Sequence, residues 1–167
     1  VPHHGCLIKV SKDGSKLEVI ANGHRAPNGM SVGPNGQVTS ADNEGNWVPT
    51  SRINLVKRGG FYGHVPTAHR AQPPADYVKP LLWLPHQIDN SSGGQIWVTS
   101  DRWGPFKGDL LHLSYGRCNM FKIMQEEIAG QSQGGAVRFP LRFDSGIMRG
   151  RFNPRCLLYT SDAADER

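Results

Sequence analysis

The run Gly23–His64, GHRAPNGMSVGPNGQVTSADNEGNWVPTSRINLVKRGGFYGH, decides how this chain is read. It alternates short apolar segments with tight turns. Pro27–Gly29 and Pro34–Gly36 repeat the tripeptide Pro-Asn-Gly, and Asn-Gly supplies the positive backbone angles of a two-residue hairpin. The pattern predicts strands at Met30–Val32 and Gln37–Ser40 and turns at Ala26–Gly29 and Pro34–Gly36. An acidic polar loop, Asp42–Thr50, follows, then a strand at Ile53–Val56 closed by Lys57–Gly63. Short strands punctuated this densely are the signature of a β-propeller blade.

The same rhythm continues on both sides. Upstream, Cys6–Val10 and Leu17–Ala21 read as a hairpin turned at Asp13-Gly14. Downstream, His64–Val78 is a Pro/Ala-rich connector, and Pro80–Leu84 and Gln95–Thr99 are strands. Asp101–Gly108 reads as a turn-rich loop, Leu110–Ser114 and Met120–Met124 as strands, and Gln125–Gly130 as a polar turn. Ala136–Leu141 is a further strand, and Gly146–Pro154 begins another hairpin. Segments recurring about every 8–15 residues leave no room for crossover helices. The expectation is an all-β chain holding about two and a half to three four-stranded blades.

Composition agrees. The 167 residues include 20 Gly and 12 Pro, a turn-rich balance. No apolar run approaches the ~18 residues of a membrane-spanning helix. The formal charge is +5, but the basic residues are scattered singly or in pairs without interleaved aromatics, so no nucleic acid partner is expected. The three cysteines form neither CxxC nor CxxCH, which excludes a zinc or c-type haem motif here. Cys6 and Cys118 are expected as small buried residues. Adjacent His3 and His4 would point to opposite faces of a strand and so not share a metal.

The final stretch, Cys156–Arg167 (CLLYTSDAADER), resembles an in-frame translation of a transposon-end sequencing adapter. It is therefore set apart as a non-native tail, leaving residues 1–155 as a fragment of a propeller domain. Without it, 18 basic residues face 11 acidic ones and the net charge is +7.

Gly23-His24-Arg25-Ala26-Pro27-Asn28-Gly29, Ile53–Val56 with Gly59–Gly63, and Pro80–His86 with Asn90–Gly94 resemble the glucose/sorbosone dehydrogenase family. So do Lys107–Leu111 and Ser114–Arg117. That resemblance implies a six-bladed propeller using the quinone cofactor PQQ with calcium. It implies cofactor-binding roles for Arg25, Trp83, Arg117 and Arg149, with Arg151 near the same motif. The calcium ligands it implies are Glu44, Gly45 and Asn46. His86 reads as a polar loop residue, and the family's general-base His is expected upstream of Val1, so no catalytic residue is assigned and the chain alone is expected to be inactive. The sequence departs from the family at Ala26, Asn46 and Gly116. Gln131–Gly135 resembles loop text of a subgroup fused to a downstream c-type cytochrome domain. The implied substrate is a sugar or alcohol, and the implied location is periplasmic or secreted. Two alternatives are a calcium-dependent lactonase-like hydrolase and a non-catalytic carbohydrate- or protein-binding propeller.

Overall fold

The computed structural model describes residues 1–44, 50–153, 155 and 158–162. A hairpin of β1 (Leu7–Val10) and β2 (Leu17–Ala21) comes first. Its turn is held by Asp13, which accepts from the hydroxyls of Ser11 (2.7 Å) and Ser15 (2.8 Å), while Gly14 takes φ +73°. Next comes a four-stranded antiparallel sheet of β3 (Pro27–Val32), β4 (Val38–Asp42), β5 (Ser51–Leu55) and β6 (Leu82–Leu84), paired in that order. A second four-stranded sheet follows, with β7 (Ser92–Trp97), β8 (Leu110–Ser114), β9 (Asn119–Ile128) and β10 (Gln131–Arg138). The last sheet pairs β11 (Ile147–Phe152) with β12 (Leu158–Asp162). Two full blades and two two-stranded sheets match the expected blade count, and β12 comes from the segment set apart in sequence.

Each full blade is a simple meander, and its first strand is innermost because β3, β7 and β11 pack backbone to backbone. The three inner strands β3, β7 and β11 meet at the hub, where glycine is required. A Cβ on Gly29 would lie 2.0 Å from the Gly93 carbonyl oxygen, and one on Gly93 would lie 2.6 Å from that of Ile147. Real Cβ atoms do not approach this closely, so backbone packs directly on backbone.

The β7–β10 blade is covered on both faces, as a propeller requires. Alternation along β8 sends Leu110 into one core with Ile53, Leu82, Leu84 and Phe121. It sends Leu111 and Leu113 into a second core with Ile96, Met120 and Ile147, joined by half-buried Trp103 and Phe152. That two-sided burial explains why LLHLS is buried at every position. By contrast, Ile8, Val10, Leu17 and Val19 of the first hairpin and Met30 and Val32 of β3 are exposed.

Five expectations are corrected or sharpened. Pro27–Gly29 is not a turn: it opens β3, whose register shifts there against β4. Gln125–Ile128 is strand rather than turn; it extends β9 into an exposed arm paired with Gln131–Gly134. The turn is Ala129-Gly130, both residues at positive φ, as a tight hairpin demands. Gln131–Gly135 accordingly lies within β10, not in a loop. The Asp101–Gly108 loop contains 3-10 turns over Asp101–Phe106, broken at Gly104. Cys6 and Cys118 are free thiols and only half-buried, because both sit in turns.

Candidate functional site at the channel mouth

Strand directions bring five loops to one end of the hub: those before β3, after β4, before β7, after β8 and before β11. This is the face on which Arg25 and Arg149 stand. Its frame is the carboxylate of Asp42, fully buried at the end of β4. Asp42 accepts the backbone N–H groups of Arg25 (3.0 Å) and Ala26 (2.8 Å) and pairs with the guanidinium of Arg52 at 3.1 Å. Arg52 also donates to the Tyr62 carbonyl. A buried charge is tolerated only with a partner and further hydrogen bonds, and this pair has both. Its effect is to fix the backbone at position 25 and leave the Arg25 side chain exposed at the head of β3.

Behind it, the buried His24 ring stacks on Tyr62 with centroids 4.7 Å apart. Its Nε2 lies 3.2 Å from Ser40 Oγ. Burial pushes the His24 pKa down, partly countered by Asp42. Half-buried His64 is likewise shifted down, first by burial, with Asp42 opposing and Arg25 assisting. His64 Nδ1 has no hydrogen-bond partner among the described residues.

Across the hub, Arg149 near the start of β11 donates from Nη2 to Asn28 Oδ1 of β3 at 2.9 Å. Asn28 Nδ2 in turn donates to the Ser92 carbonyl of β7 at 3.0 Å. One chain of contacts thus ties all three inner strands together at the mouth. Beside it, Arg149, Arg151, Asn28 and Gln95 line a cavity of about 180 Å³.

The other predicted residues occupy different ground. Glu44 Oε1 lies 2.9 Å from His86 Nδ1, and Arg117 donates from Nη2 to the His86 carbonyl at 2.6 Å. Glu44, His86 and Arg117 therefore form one rim cluster. Gly45 and Asn46 lie outside the described residues. Trp83 sits on β6, the outermost strand. The register places Pro27, Asp42, Arg52 and Trp83 in one row across the blade. At ~4.8 Å per strand, Trp83 is about 14 Å from the inner strand. It contacts Tyr77 edge-on and takes the Arg52 guanidinium over its face at 5.9 Å.

The residues that organise this face were not all visible in sequence. Asp89, fully buried before β7, accepts from Ser92 Oγ (2.8 Å), Ser114 Oγ (2.6 Å) and His112 Nε2 (2.7 Å). Burial alone would raise its carboxyl pKa, but these bonds and His112 hold it below the usual value. The available signal was a histidine and a serine two apart in an otherwise apolar strand.

Near the implied calcium loop, Asn43 Oδ1 takes the Ser92 N–H at 3.3 Å and Glu44 lies against His86. No group of three or more His, Cys, Asp or Glu side chains among the described residues is arranged for a metal. The mouth suits an anion better, with Arg25 and Arg149 exposed on it.

These features define a β-propeller with arginines on and beside its inner strands at one end of the hub. In fold the chain is similar to three solved sugar dehydrogenases. One is an oxidoreductase (glucose dehydrogenase) from Thermus thermophilus, at 20% identity and TM-score 0.63 over 87% of this chain. The second is the soluble aldose sugar dehydrogenase of Escherichia coli in its apo form, at 16% and 0.63 over 93%. The third is the PQQ-bound aldose sugar dehydrogenase of Streptomyces coelicolor, at 13% and 0.63 over 87%. The chain spans 42%, 50% and 42% of their respective lengths. No family model and no curated protein sequence matches it. No helix among the described residues is long and apolar enough to cross a membrane.

Proposed function

We propose that this chain forms part of a PQQ-dependent dehydrogenase acting on a sugar or alcohol, contributing one side of the cofactor pocket. The observation that carries the reading is the pair of exposed arginines at the hub mouth, Arg25 with its backbone held by Asp42 and Arg149 with its guanidinium bonded to Asn28. A guanidinium matches a carboxylate bidentately, and PQQ carries several carboxylates. When bound, the quinone would supply the two-electron acceptor for oxidation of a C–OH group. Arg25, positioned through Asp42, and Arg149, positioned through Asn28, orient the cofactor. Arg117 and the Glu44–His86 pair shape the rim. Trp83 belongs to the scaffold in this reading, since Arg52 and Tyr77 already cover it. A periplasmic or secreted location and electron delivery to a c-type cytochrome accompany the proposal as properties of the whole enzyme.

The test is titration of PQQ into the chain, followed by tryptophan fluorescence with and without calcium. Saturable quenching is expected, with affinity weakened about tenfold in Arg25→Gln and in Arg149→Gln, one exposed charge-assisted contact each. Absence of quenching, or variants that bind like the parent, would overturn the reading. A second reading, a non-catalytic carbohydrate-binding propeller, is favoured by the engagement of Asn43 and Glu44 within the protein. It expects sugar binding without PQQ.

A further inference from the structure

A second cleft lies away from the hub, at the rim between the two full blades. Its volume is about 620 Å³, and its walls come from the loop before β7, the start of β9, the end of β10 and the segment that follows. Three arginines line it: Arg117, Arg138 and Arg142. No lining residue is acidic. Arg117 spends one Nη on the His86 carbonyl, and among the described residues none of the three arginines is within ion-pair distance of a carboxylate, nearby Asp144 included.

The floor differs from the rim. Phe121 is buried there, and Ile88 is exposed at the side. Between floor and rim sits Asn119, only 7% exposed, whose Oδ1 has no partner among the described residues. A buried acceptor without a donor costs roughly 1–3 kcal/mol, a cost that a ligand hydroxyl or N–H reaching this oxygen would remove. Three uncompensated guanidiniums over one cavity raise the local potential and favour a multiply charged anion.

We propose that this cleft binds a small hydroxylated polyanion, bearing two or more carboxylate or phosphate groups and a hydroxyl directed at Asn119. The arginines take the acid groups, Asn119 takes the hydroxyl, and Phe121 with Ile88 covers the carbon body. The site lies outward of the channel mouth and shares only Arg117 with its rim: β9 and β10 are the third and fourth strands of their blade, about 10 and 14 Å out from β7. It goes beyond the dehydrogenase reading and stands without it.

The test is isothermal titration of the chain at low salt. The probes are citrate, tricarballylate (citrate without its hydroxyl) and fructose 1,6-bisphosphate, with fructose and ionic-strength-matched sulfate as controls. Citrate and fructose 1,6-bisphosphate are expected to bind saturably, with citrate at least threefold tighter than tricarballylate. Arg138→Gln/Arg142→Gln, on exposed positions and checked for folding by circular dichroism, should weaken both at least tenfold. Arg25→Gln/Arg149→Gln should change neither by more than twofold. Sulfate binding as tightly as citrate, equal citrate and tricarballylate affinities, or insensitivity to the rim pair would each overturn the proposal. So would loss of binding in the channel pair, which would place the anion at the hub.

Discussion

Replacing Asp42 with Asn tests whether the buried Asp42–Arg52 pair holds the channel mouth in shape. The substitution keeps the volume and one acceptor oxygen, so one of the N–H groups of Arg25 and Ala26 stays bonded. The other loses its partner, and Arg52, with its side chain 3% exposed, becomes a buried charge without a counterion. Breaking one side of a buried pair costs about 3–5 kcal/mol, against a typical total stability of about 5–15 kcal/mol. With a urea slope near ~2 kcal/mol/M, the unfolding midpoint should fall by roughly 2 M. Adding Arg52→Met removes the stranded charge, and the double variant should recover at least about 2 kcal/mol of the loss. Equilibrium urea unfolding of the four proteins of the cycle measures both quantities. A single-variant loss below about 1 kcal/mol, or no coupling in the cycle, would refute the account.

Other consequences are as direct. Stability should fall in acid in two stages: His24 and His64 have lowered pKa values, so the unfolded chain takes protons first as pH drops below about 6.5. The lowered Asp89 carboxyl adds a second loss below about pH 4, where the unfolded carboxylate protonates first; thermal melts from pH 8 to 3 should show both, and a flat profile would contradict them. Gly29→Ala should destabilise the chain by about 1–3 kcal/mol through overpacking against Gly93, whereas Gly135→Ala, whose Cβ would meet only the Met124 side-chain end at 3.6 Å, should cost less; calorimetry compares the two. Asp89→Ala strands Ser92, Ser114 and His112 and should cost about 3 kcal/mol or more, read as a lower melting temperature.

The strands were legible where one rule governed them. Asp13-Gly14 and Asn35-Gly36 lie in the hairpin turns as expected, but only the glycines take positive φ, so the loops joining Val10 to Leu17 and Val32 to Val38 are wider than the two-residue primed turn. The arm of β9 beyond Met124 was not legible, because exposed Gln125, Glu126 and Glu127 carry no burial alternation and look like a polar turn. Pro27-Asn28-Gly29 has turn composition, but tertiary contact with Gly93 and Ser92 makes it strand. Arg25 was singled out through its motif, while the carboxylate that holds its backbone, Asp42, lies seventeen residues on and looked like the start of a ligand loop. Asp89 and His112 meet only because the loop before β7 folds over β8, a contact of 23 residues' separation. Trp83 illustrates the converse. Its neighbourhood in sequence was right, but strand order put it at the blade's outer edge.

The glycine contacts at the hub bear on how many blades such a ring can hold. Blades are wedges, narrow where Gly29 and Gly93 let backbones touch and wide where β6 and β10 stand. The inner width sets the angle through which each wedge turns relative to the next. A methyl group at either glycine would thicken the narrow end more than the wide end. The wedges would then sit closer to parallel, and more of them would be needed to complete a circle. On this view the circumference of the ring is written in the smallest side chains at its centre, rather than in the large ones that fill its cores.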